Sequence, residues 1–161
     1  MPKLSPSFPK WLDRLTSLAC RGRILRNPTS QEAGIKPTHL VKVSHRPRGF
    51  DLSSLLDPLP DAARFAERST RETPDIVVCF AESAKQLQAR LPSALAAIAR
   101  DGVIWIFWPK KSSERYKSGT RDLTEDVIRA QAIASGVVDV KVCAIDDTWS
   151  GLKLVYRLAD R

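Results

Sequence analysis

Histidine is nearly absent from this sequence: His39 and His45 are the only two among 161 residues. Cysteine is scarce as well. Cys20, Cys79 and Cys143 are odd in number, and no two have C-x-x-C spacing. Zinc sites built from paired Cys and His ligands are therefore excluded, and a reducing, cytoplasmic setting is expected. Long apolar runs are missing too. The longest, such as residues 103–108, are strand-sized, far short of the roughly 20 residues that span a bilayer. There is no G-x-S-x-G and no P-loop. Ser83 and Ser150 have no histidine or acid at motif spacing. No cofactor and no metal are expected, and the reading leans away from an enzyme.

What is present is basic charge, unevenly placed. The formal net charge is +8. Residues 1–48 hold ten Lys/Arg against two acids, and residues 49–161 hold 16 against 16. The excess belongs to the N-terminal end, so any argument from basicity concerns that end. Pro2, Pro6 and Pro9 break up the start. Trp11, Leu12, Leu15, Leu18 and Ala19 then recur at helical spacing among Arg14, Arg21 and Arg23. Residues 1–30 read as a basic, partly ordered arm. It is a tail docking on the body, a segment for nucleic acid, a membrane surface or a partner, or a targeting peptide.

Residues 31–161 read as a single α/β domain, and a chain near this length buries roughly 70% of its unfolded surface. Strands are expected over 39–44, weakly over 62–66, and over 75–81, 103–108, 138–145 and 152–158. A short helix is expected over 50–56. A second over 83–100 carries Ala84, Leu87, Leu91, Leu95 and Ile98 on one face, with a kink or restart at Pro92 and Gly102 as its C-terminal cap. A third over 122–135 would be capped by Asp122 with Glu125 in reciprocal position. Strand 103–108 is apolar on both faces, as in the centre of a parallel sheet. Residues 146–151 would form a six-residue hairpin loop. Right-handed βαβ crossovers then give a three-layer, Rossmann-like, mostly parallel sheet with a C-terminal antiparallel hairpin. Ile76, Val78, Val103, Trp105, Phe107, Val140 and Val142 are the expected buried sheet residues.

Four stretches carry a family likeness: Trp108-Pro109-Lys110-Lys111, Asp122 to Val127, Val138 to Ala144, and Trp149-Ser150-Gly151-Leu152-Lys153. Together they resemble an uncharacterised bacterial family labelled domain of unknown function 3052, with the likeness reaching back to Gly34-Ile35-Lys36-Pro37. The order of elements is also similar to the second half of S-adenosylmethionine-dependent methyltransferases, in which the last strand runs antiparallel and inserts beside the others. That resemblance implies a glycine-rich turn after the first strand and an acid on the cofactor ribose after the second. Here the turn is His45-Arg46-Pro47-Arg48-Gly49, and the one acid available is Glu67. The sequence resembles the scaffold without its cofactor site.

In open parallel sheets ligands bind beyond the carboxyl ends of the strands. Those ends would deliver His45, Glu82, Lys110 and Lys111, and Asp146 and Asp147, with Trp149 in the hairpin loop. Lys110 and Lys111 suit a phosphate or carboxylate as point charges, or are solvated loop lysines paired with Asp146 or Asp147. Asp146 and Asp147 suit a metal or acid/base work, but adjacent carboxylates on an extended chain diverge, no third ligand stands at metal spacing, and turns favour aspartate for its backbone bonds. Trp149 would stack on a ligand or fold over the hairpin. The function expected is a non-catalytic or vestigial methyltransferase-like module binding a small anionic ligand or a protein partner. The alternatives are a methyltransferase-related enzyme with an altered cofactor site, and a nucleic-acid or anionic-membrane binder acting through the arm.

Overall fold

The computed structural model describes residues 34–51, 60–67 and 69–161. The expected arm over residues 1–30 and nearly all of the expected helix over 50–56 lie outside the described residues. Six strands form one sheet: β1 (Leu40–Ser44), β2 (Arg64–Phe65), β3 (Ile76–Phe80), β4 (Val103–Pro109), β5 (Val137–Ala144) and β6 (Trp149–Tyr156). The helices are α1 (Ala84–Ala97), α2 (Glu114–Ser118) and α3 (Glu125–Ala134), and a 3₁₀ turn follows at Leu158–Asp160.

The sheet order is β2-β1-β3-β4-β6-β5. Pairs β2–β1, β1–β3 and β3–β4 are parallel, while β6 lies antiparallel to both β4 and β5. Only β6 therefore runs against the rest. The central strands are set by their continuous apolar sequence. All five residues of β3 are buried, as are all but the first of β4, because side chains on both faces meet cover. On one face Val77, Cys79, Ile104, Ile106, Leu152 and Leu154 pack against Leu87, Leu91 and Ala94 of α1 and Ile128 and Ala132 of α3. On the other, Ile76, Val78, Phe80, Trp105, Phe107 and Trp149 pack with Ile35, Phe50 and Ala63.

Several local expectations need correction. The helix α1 does not restart at Pro92. Gln88 and Pro92 both lie on its exposed side, where water can satisfy the carbonyl that proline leaves without a donor. It ends at Ile98, which is extended, rather than at Gly102. Thr124, not Asp122, caps α3 through Val127 N–H at 3.4 Å. Asp122 instead accepts from Ala84 N–H at 3.2 Å and from the Thr120 hydroxyl, tying the lead into α3 to the first turn of α1.

The polar stretch after β4, read as a loop, contains α2, capped by the Ser113 hydroxyl through Tyr116 N–H at 3.2 Å. The six-residue hairpin loop is shorter than expected. The Asp146 carboxylate accepts from Thr148 and Trp149 N–H, both at 2.7 Å, which closes the turn early and makes Trp149 the first residue of β6. The last strand accordingly ends at Tyr156 rather than at residue 158.

Val140 and Val142 are not core: they are 55% and 40% exposed. The inserted β6 pushes β5 to the sheet edge, and a register shift between Asp139 and Lys141 leaves Val140 without a partner residue on β6. Among the described residues, no helix is long and apolar enough to cross a membrane.

Candidate functional site

Because β1, β3, β4 and β5 run the same way, their carboxyl ends fall on one edge of the sheet. His45, Glu82, Lys110, Lys111, Asp146 and Asp147 all stand there, and Trp149 starts β6 from the same edge.

His45 opens the turn after β1 with a left-handed φ of 58°, a conformation that costs a non-glycine residue energy. It is exposed and leads directly into the exposed Arg46 and Arg48. Partial burial and the nearby charge of Arg90 hold its imidazole below the ordinary range. Arg90 reaches over from α1 and donates to the Phe80 carbonyl at 2.7 Å, at the end of β3. One residue beyond Ala81, the half-buried Glu82 takes a 2.8 Å ion pair from Arg115 of α2.

Lys110 is committed to structure. Its backbone N–H donates to the Thr148 carbonyl at 2.7 Å, and its ammonium donates to the Asp146 carbonyl. It ties the exit of β4 to the β5–β6 turn. The Asp146 carboxylate is spent on that turn, whereas Lys111 and Asp147 are exposed.

Trp149 is not a loop residue open to a ligand: it is 3% exposed. Its indole meets Phe80 edge-on at 5.1 Å and Phe50 at 6.4 Å, and Phe80 in turn meets Phe107 at 5.1 Å. The Arg115 guanidinium lies over the indole at 5.4 Å. The aromatic cluster thus floors the edge, and cations rim it.

Sequence reasoning missed Arg90 and Arg115. Both come from helices rather than strand ends, and the one available signal for α2 was Ser113-Glu114 as a cap followed by an acidic first turn. Asp146 and Asp147 do not converge, and among the described residues no group of three His, Cys, Asp or Glu is placed to hold a metal. With Arg115 and Glu82 paired to each other, the geometry left at the edge among the described residues is that of a cationic rim made by the exposed turn arginines Arg46 and Arg48, with Lys111 and Arg90. Such a rim attracts anions.

A sheet whose last-but-one position is taken by a single antiparallel strand is the Rossmann-like fold of the S-adenosylmethionine-dependent methyltransferases. Within that fold class, the chain belongs to the family described as "Protein of unknown function (DUF3052)", whose model matches residues 50–158. The match begins after the turn 45–49, and Gly34-Ile35-Lys36-Pro37 lie outside it. Among solved structures the chain is similar to magnesium protoporphyrin IX methyltransferase from Synechocystis PCC 6803 with bound SAH. Identity is 12% over 91% of this chain and 94% of that one, with a TM-score of 0.50. It is also similar to a putative methyltransferase from Thermoplasma acidophilum, at 10% identity over 78% and 71% of the two chains, with a TM-score of 0.46. No curated protein matches the sequence.

Proposed function

We propose that this protein is a non-catalytic, methyltransferase-like module that holds a small anionic ligand at the carboxyl edge of its sheet. The observation that carries the reading is the turn after β1. The resemblance to methyltransferases implies a glycine-rich turn there, where backbone approaches a cofactor. This chain places His45, Arg46, Pro47 and Arg48 instead, and only Gly49, with φ 78°, has the left-handed freedom of glycine. Bulky side chains keep a cofactor from the backbone, and two guanidinium groups offer bidentate donors to a carboxylate or phosphate. Arg90 and Lys111 extend the same charge along the edge. Phe50 and Trp149 fill the space beneath with rings.

The test is calorimetric titration of the full chain with S-adenosylhomocysteine and with a panel of small dicarboxylates and phosphate esters. Saturable binding of an anion is expected, weakened about tenfold or more in an Arg46→Gln/Arg48→Gln variant, with no heat from S-adenosylhomocysteine. Micromolar binding of S-adenosylhomocysteine, indifferent to that variant, would instead establish the enzyme reading with an altered cofactor site.

A further inference from the structure

Residues 111–121, between β4 and the lead into α3, form a strap over the carboxyl edge of the sheet. It is pinned at both ends. Lys110 holds the β5–β6 turn through its backbone N–H, 2.7 Å from the Thr148 carbonyl, and through its ammonium on the Asp146 carbonyl. At the other end Asp122 accepts from Ala84 N–H at 3.2 Å, and Leu123 is buried in the core with α1 and α3. Between these pins no residue of α2 is buried.

The bonds of the strap close on the strap itself. The Ser113 hydroxyl donates to the Lys110 carbonyl at 2.7 Å and caps Tyr116. Lys117 pairs with Glu114 at 2.8 Å, the Tyr116 hydroxyl donates to the Arg121 carbonyl at 2.7 Å, and the Arg121 guanidinium donates to the Lys117 carbonyl. Among the described residues, Arg115 alone carries a side-chain hydrogen bond, ion pair or ring contact from 111–121 to the rest of the protein. It meets Glu82 at 2.8 Å and lies 5.4 Å from the centroid of the buried Trp149 indole. A segment with no buried apolar contact in its helix and one exposed attachment opens more readily than the sheet beneath it, and lids are drawn from such segments.

The attachment stands where an anion would arrive. Glu82 lies two residues past the Phe80 carbonyl that Arg90 reaches at 2.7 Å. Arg115 and Glu82 are 39% and 37% exposed, so water screens the pair and it holds weakly. A phosphate or dicarboxylate drawn in by the cationic rim carries more charge than Glu82 and offers the guanidinium fork paired acceptors. We propose that residues 111–121 are a latched lid over the strand-end edge: Arg115 closes it on Glu82 and Trp149, and an entering anion opens it by taking the guanidinium from Glu82. The anion's part rests on the proposed anion-binding function; the latch does not.

Millisecond hydrogen exchange of the full chain, read by mass spectrometry, compares the parent with Glu82→Gln and Arg115→Gln. Amides of residues 111–121 should exchange about two- to fivefold faster in both variants, the range an exposed ion pair sets, with α1 and α3 unchanged. Arg64→Gln, which breaks the exposed Arg64–Glu72 pair elsewhere, should leave the strap as it is. The parent and Glu82→Gln are then titrated calorimetrically with inorganic phosphate and with succinate. Saturation should speed exchange of the strap in the parent. Glu82→Gln should bind the same anion about two- to fivefold more tightly, because the competing carboxylate is gone.

Equal exchange over 111–121 in the parent and both variants would overturn the latch. Equal affinity of the parent and Glu82→Gln, with exchange of the strap unmoved by the anion, would overturn the anion's part and leave the proposed function standing. Failure of the proposed function has a different signature: neither anion saturates the parent while the strap still loosens in both variants, which removes the anion's part together with that function.

Discussion

The guanidinium of Arg115 lies over the indole of Trp149, 5.4 Å from the ring centroid, while the same group holds Glu82 at 2.8 Å. One side chain from a five-residue helix thereby connects the end of β3 to the start of β6. The two partners contribute unequally. Trp149 is 3% exposed and packed edge-on against Phe50 and Phe80, so Trp149→Ala should cost about 3–5 kcal/mol. Arg115 is more than a third exposed. Its cation–π contact is worth about 0.5–1 kcal/mol at such a site, and its surface ion pair adds little. Urea unfolding of both variants checks this. A loss under about 1 kcal/mol for Trp149→Ala would mean that the indole is not the floor of this edge.

Gly151 faces two side chains at once. A Cβ there would come within 2.8 Å of Ile145 Cδ1 and 3.0 Å of Phe107 Cε1. Both belong to the core cluster that contains Trp149. Gly151→Ala should therefore cost about 1–3 kcal/mol by overpacking. Adding Ile145→Val to it should recover part of the loss, because it removes the closer methyl group. Thermal unfolding of the single and double variants measures the coupling. Equal stability of Gly151→Ala and the parent would show that the β6–β4 and β6–β5 contacts are looser than these distances require.

The strands at the centre of the sheet were legible because their sequences leave no choice. Residues 76–80 and 103–109 are apolar on both faces, and only burial on both sides accommodates that. The antiparallel last strand was legible from a short connection after residue 145. What the sequence hid has local causes. Trp149-Ser150-Gly151 follows Asp146-Asp147-Thr148 and reads as loop, because nothing in the composition reveals that Asp146 closes the turn in three residues. The helix α2 has five residues and no apolar periodicity. Alternating valines over 138–142 announce an apolar face but not whether anything covers it. At the candidate site, the residues at strand ends followed from topology. Arg90 and Arg115 did not, since a helix residue is aimed at a site only by the packing of its helix.

The valines of β5 give that last point a measurable form. Val137 is fully buried, and Val142 is 40% exposed on an edge strand. Val142→Thr should change stability by no more than about 0.5 kcal/mol. Val137→Thr should cost about 1–3 kcal/mol, since its hydroxyl would be buried away from water. Chemical denaturation of the pair decides it. Equal and large losses would place β5 inside the core rather than at its margin.

Cys79 supplies a prediction with a pH axis. It lies near the carboxyl end of β3, 1% exposed, and burial pushes its thiol up to about 11 against the opposing pull of the Arg90 charge. The neutral thiol is the form the core accepts. Its folded pKa stands above the value near 8.5 of an unfolded chain. The stability tied to it is therefore full below about pH 8.5 and is lost as the pH climbs toward 11. Through that window the slope approaches about 1.4 kcal/mol per pH unit, the loss of one proton. A Cys79→Val variant lacks the proton and should show a flatter alkaline limb than the parent in denaturation measured from pH 7 to 11. Iodoacetamide at pH 8 should label Cys79 in the native protein about a hundredfold more slowly than in urea-unfolded chain, since neither thiolate nor access is present. Peptide mapping by mass spectrometry distinguishes it from Cys20 and Cys143. Parallel alkaline limbs for parent and variant, together with rapid native labelling of Cys79, would show that β3 opens far more readily than the centre of a sheet should.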